Sequence, residues 1–204
     1  RQFTTALERY YEAVEIIPRK LEAYEGILSV LITKGRLGDA QDVIEKSAKS
    51  LSNYDKSMLY KMLGDAYYDS KDYAKAYELY DAGSFLGINN MGLELMLGKT
   101  YLNRGNINDA RRQFSKSGYG GEQLEEANLL LAYIYAIDDP TKAKTTVGAF
   151  TPEEGRMQIL YEELTDLLDS LDDDRKFNAA KLSRMYINNG YPYLAILILE
   201  PRRE

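Results

Sequence analysis

Two stretches of this chain align at a step of 34 residues: LGDAYYDSKDYAKAYELY from Leu63 and LGKTYLNRGNINDARRQF from Leu97. Leu63 pairs with Leu97, Gly64 with Gly98, Tyr67 with Tyr101, Ala76 with Ala110 and Tyr80 with Phe114. A fixed period of this length marks a repeat architecture, in which one unit buries its apolar face only by stacking on the next.

Each unit reads as two helices. Tyr60, Leu63, Gly64 and Tyr67 share one helical face. A break follows at Ser70-Lys71-Asp72, and at Asn103-Arg104-Gly105-Asn106 in the next unit. The second helices carry Tyr73, Ala76 and Tyr80, then Ile107, Ala110 and Phe114. A glycine inside a helix costs about 1 kcal/mol in propensity. Gly64 and Gly98 therefore need a packing reason, and close approach of a neighbouring helix supplies it. The 18 Tyr against 5 Phe and no Trp suit half-buried seams, where an apolar ring ends in a polar tip.

The Leu-Gly and Tyr of the first helix, with the Ala and aromatic of the second, resemble the tetratricopeptide repeat (TPR) family. The resemblance implies an all-α fold, a right-handed α-α superhelix of about 11–12 helices. Residues 1–18, with Ala6, Tyr10, Ala13 and Pro18, match the second helix of a truncated unit. A degenerate unit follows at 19–54, with Tyr24, Ile27 and Leu31, a turn at Gly35, then Ala40 and Ile44. Clear units occupy 57–90 and 91–124, and another 125–152, broken at Asp138-Asp139-Pro140. A degenerate unit closes the chain at 174–204, with Leu182, Ser183 and Tyr186, a turn at Asn189-Gly190, and Pro192 and Pro201 bracketing a short helix.

Between the last two units the spacing fails. Ala143 and Ala195 are 52 residues apart, an excess of one helix over the 34-residue step. Met157, Leu160, Tyr161, Leu164, Leu167, Leu168 and Leu171 form an apolar stripe within 153–173, backed by an acidic face. The pattern predicts an added packing helix that covers an end of the stack or lies on its concave side. Asp172-Asp173-Asp174 is expected to end this helix and cap the next. It does not form a calcium loop, because Lys176 and Ala180 stand where ligands or a turn are needed.

Chemistry is constrained by what is missing. With no Cys and no His, thiol nucleophiles, disulfides and every His-based triad are excluded. Gly98-Lys99-Thr100 resembles the end of a phosphate-binding loop, but five residues separate it from Gly92 where four are required. Gly98 also sits mid-helix, where its N–H is already bonded. No cofactor and no metal are expected, and the chain reads as no enzyme. The net charge of −6 comes without a basic run, which argues against nucleic acid. The longest apolar run, Leu194 to Leu199, is far short of the ~20 residues of a membrane span.

The TPR resemblance implies a concave groove lined by the first helix of each unit. The expected groove residues are Lys61, Asp65, Tyr68, Leu95, Lys99, Leu102, Leu129, Tyr133 and Ile137. They suggest an extended or helical peptide with apolar anchors and some negative charge; the alternative is that these side chains contact the superhelix's own next turn or the added helix. Glu25 and Ser29 on the equivalent face argue against the family's carboxylate clamp for chaperone tails. Tyr133→Ala with Leu102→Ala is expected to weaken partner capture and spare the fold, and Lys99→Ala to spare stability.

The expected function is a non-catalytic scaffold for a protein or peptide, within a larger bacterial protein. The alternative is a regulatory or targeting domain fused to an enzyme or membrane-assembly component outside these residues. The chain opens on Arg1 with neither an initiator Met nor a signal peptide, so a processed chain or a piece of a longer protein is expected, from which a targeting segment could have been removed. The compartment is left open, with the cytoplasm slightly favoured over an extracytoplasmic anchored setting. The apolar helix at 191–200 predicts either further repeats or a homo-oligomer.

Overall fold

The turns predicted from Gly, Asn and Asp divide the chain into helices. In the computed structural model Gly35, Gly105 and Gly190 adopt φ of 68°, 78° and 84°, the left-handed region that reverses a chain after a helix. Lys71 does the same at 64° without being glycine. Side-chain caps complete the breaks. Asp72 accepts from the Lys75 N–H at 3.1 Å, and Asp139 from the Lys142 N–H at 2.9 Å, just before Pro140. Each satisfies an amide left over at a helix start.

The structure describes residues 2–47, 49–86, 91–116, 119–149, 152, 155–171 and 175–199. Among them are twelve helices: α1 (Gln2–Ile16), α2 (Leu21–Thr33), α3 (Leu37–Ser47), α4 (Asn53–Asp69), α5 (Tyr73–Phe85), α6 (Met91–Asn103), α7 (Ile107–Phe114), α8 (Gly121–Asp138), α9 (Pro140–Val147), α10 (Arg156–Asp169), α11 (Arg175–Asn188) and α12 (Pro192–Leu199). The expected cap at Asp172-Asp173-Asp174 lies outside the described residues, as does Pro201. The chain divides into two compact units, Arg1–Met96 and Leu97–Glu204, with the division inside α6.

In the first unit α4 packs on both α2 and α3, and pairs with α5. Ile27, Leu28, Leu31, Ile44, Leu59 and Leu63 form the centre of its core. The glycine prediction holds here. A Cβ on Gly64 would stand 2.5 Å from Cε1 of Tyr80, so the ring lies directly on the α4 backbone. The Tyr10 ring lies on Gly26 in the same way, joining α1 to α2.

In the second unit α8 is the central helix. Leu129 to Ile134 are all buried, which places packing on every side of it. Its neighbours are α7, α9, α10 and α11. The added helix α10 packs against α8 and α9, as α4 packs against α2 and α3. It thus continues the stacking pattern rather than breaking it, and Leu164 and Leu168 are its buried stripe. The break comes one helix later, where α11 pairs with α12 and lies on α8. On α12, Leu194 and Ala195 are buried, whereas Ile196, Leu197 and Leu199 are exposed.

Candidate functional site

The predicted groove residues of the first unit lie along α4. Lys61 Nζ is 2.7 Å from Asp65 Oδ2, one helical turn away, and both side chains are partly exposed. The other carboxylate oxygen of Asp65 accepts from the Tyr80 hydroxyl of α5 at 2.8 Å. Asp65 therefore joins a surface lysine to the tyrosine that fills the Gly64 seam. Burial and the adjacent Asp65 carboxylate push the Tyr80 hydroxyl well above its ordinary value of 10.0, since ionisation would place a second anion there. Tyr68 is half-buried and meets Tyr73 edge-on, with centroids 5.2 Å apart. Leu95, also in this unit, is buried.

The predicted residues of the second unit are placed differently. Leu102, Leu129 and Tyr133 are interior side chains, at 1%, 2% and 0% exposure. Ile137 is half-buried. The helix lying on Tyr133 is α11. The Tyr186 hydroxyl donates to the Tyr133 carbonyl oxygen at 2.7 Å, and the two rings meet at 5.9 Å. Tyr191 meets the Tyr133 ring as well, edge-on at 5.8 Å. Tyr133→Ala with Leu102→Ala would accordingly empty the core, and is not the fold-sparing variant that the helical pattern suggests.

Lys99 also differs from expectation. Its ammonium lies 2.9 Å from Glu126 Oε1, joining α6 to α8 with both side chains partly covered. It is a tie between helices, so Lys99→Ala is expected to affect stability rather than spare it. The sequence did not single out Tyr186 and Tyr191 for this face. Tyr186 fits the repeat as the seam tyrosine of its own unit, and only the opposite charges of α8 and α11 hint at their pairing.

A small group on α7 and α9 completes the unit. Lys142 Nζ lies 4.1 Å from the Tyr135 centroid and the Arg111 guanidinium 5.5 Å from it. Tyr135 is the third member of the 34-residue series with Tyr67 and Tyr101. These cation–π contacts link α8 to its two flanking helices. Among the described residues no helix is long and apolar enough to cross a membrane.

No family model and no curated protein matches the sequence. Solved structures do match. YrrB, a TPR protein with an unusual peptide-binding site, superimposes with a TM-score of 0.58 at 16% identity, over 96% of this chain and 91% of that one. BtubC (BKLC) from P. vanneervenii gives 0.49 at 14% identity, over 100% and 93%. The likeness to YrrB shows the fold: all-α and TPR-like, a helical solenoid.

Proposed function

We propose that this TPR-like chain is a non-catalytic protein-interaction scaffold, holding a peptide or protein surface on the faces of its first helices. The row Lys61, Asp65 and Tyr68 carries this reading. Its side chains are half-open, yet each is fixed by a neighbour: Lys61 by Asp65, Asp65 by Tyr80, Tyr68 by Tyr73. Side chains ordered in advance lose less entropy when a ligand arrives. A tyrosine ring beside a compensated ion pair accepts an apolar anchor and a polar backbone together. YrrB has a peptide-binding site on a related fold, which favours the same use here.

Affinity capture from the native host, with the whole chain as bait, tests the proposal. Tyr68→Ala is expected to lose the captured partner while keeping wild-type helicity. Equal capture by the variant rules out the α4 face, and no captured partner under any condition rules out the scaffold.

A further inference from the structure

Asp65, Lys99 and Tyr133 follow one another at 34 residues, so they occupy one register position on α4, α6 and α8. Asp65 and Lys99 are partly exposed, whereas Tyr133 is fully covered. The difference is α11. We infer that α11 is a ligand carried on the protein's own chain, that the α8 face beneath it is a helix-binding surface, and that the external partner for this surface is a basic amphipathic helix with a tyrosine anchor. The inference rests on the scaffold reading and assigns to that scaffold a partner class and a resident competitor.

The chemistry of recognition is visible in the resident helix. α11 has the sequence RKFNAAKLSRMYIN, with four cations and no anion. α8 has the sequence GEQLEEANLLLAYIYAID, with four anions and no cation. α10, also in contact with α8, adds Glu163, whose carboxylate accepts from Asn189 at 2.9 Å just beyond α11. Opposite net charge on the two helices steers their encounter, while in the docked arrangement Lys181 donates to the Ser170 carbonyl oxygen at 2.8 Å and Arg184 is exposed. The anchor is Tyr186, buried completely, with its hydroxyl on the Tyr133 main-chain oxygen. A backbone carbonyl offers a second lone pair beyond its helical bond, so any helix that places a tyrosine there can use it.

α11 lies on α8 and pairs with α12. Tyr193 reaches Gly105, at the turn between α6 and α7, while Ile187, Ile196 and Leu199 remain exposed. A tethered ligand acts at an effective concentration of order mM. An external helix therefore binds weakly until the resident one is loosened, and its apparent affinity follows the fraction of open chains.

The test uses the full 204-residue chain and a fluorescein-labelled synthetic peptide spanning residues 175–191, followed by anisotropy. The wild-type chain is expected to bind the peptide weakly. Tyr186→Ala in the chain frees the α8 face and should tighten binding by about ten-fold or more. The same substitution in the peptide should abolish binding, and a peptide with its four cations changed to Glu should not bind. Circular dichroism checks that the variant chain keeps its helices. If Tyr186→Ala reduces helicity, Tyr186→Phe, which removes only the hydroxyl, carries the decision with a smaller increase. No anisotropy change with any helical variant overturns the inference, as does equal binding of the Glu peptide. Because the peptide assay needs no host partner, peptide binding alongside empty captures with both the wild-type and the Tyr186→Ala chain sinks the scaffold reading and its external partner, and leaves α8 as a surface for α11 only. Successful capture with no peptide response sinks this inference alone.

Discussion

A Cβ on Gly98 would stand 2.4 Å from Cε1 of Phe114, which is 2% exposed and held in the core. Gly64 and Tyr80 repeat the relationship one unit earlier, at 2.5 Å. Alanine favours a helix over glycine by about 1 kcal/mol, so the clash decides the sign. Gly98→Ala is expected to lose about 1–3 kcal/mol, read from the urea midpoint. Combined with Phe114→Leu, it should cost less than the sum of the two single changes, by about 0.5 kcal/mol or more. Gly38 is the control: an added Cβ there meets nothing within 4 Å, so Gly38→Ala should gain about 0.4–1 kcal/mol.

Two buried tyrosines are expected to make stability fall at high pH. Burial raises the Tyr186 hydroxyl far above 10.0, and burial with Asp65 does the same for Tyr80. Below pH 10 both states keep the proton and nothing changes. Above it the unfolded chain releases protons that the folded chain retains, so each tyrosine removes about 1.4 kcal/mol per pH unit. Urea titrations across that range should show a shallower decline for Tyr186→Phe. At neutral pH the same variant should lose about 0.5–1.5 kcal/mol for the bond to Tyr133. An unchanged slope would mean that Tyr186 is open to solvent.

How much of this was legible follows from the range of each interaction. The breaks at Gly35, Gly105, Gly190 and Asp139 could be read because turns and caps are local chemistry. Gly64 and Gly98 could be read because the repeat presents the same seam twice. The exposure of Tyr133 could not. Helical periodicity tells which side of α8 the residue occupies, whereas the covering helix arrives 53 residues later. Lys99 has the same limit: its partner Glu126 lies 27 residues away. Lys61, whose partner is four residues away, could have been paired from the sequence.

Lys99 and Glu126 should show the energetics of a partly covered tie. Their side chains are 21% and 29% exposed, between the surface and core cases. Lys99→Ala should cost about 1 kcal/mol, with solvent screening limiting the loss. A double-mutant cycle with Glu126→Ala isolates the pair, and its coupling should shrink in high salt. Zero coupling at low salt would mean that the Glu126 contact adds nothing to stability.

At the register position shared by Asp65, Lys99 and Tyr133, three side chains meet three different partners: the second helix of the same hairpin, the next first helix, and the Tyr186 ring of α11. Asp65 is the one whose removal leaves a buried group unserved. Asp65→Ala strands the Tyr80 hydroxyl and frees Lys61, and is expected to cost about 1–3 kcal/mol. Asp65→Asn keeps an acceptor for Tyr80 and should cost less. Tyr80→Phe removes the need for that acceptor, so in its background Asp65→Ala should become nearly neutral. Thermal unfolding of the four chains checks this, and an undiminished Asp65→Ala penalty beside Phe at position 80 would show that Asp65 acts through Lys61 instead.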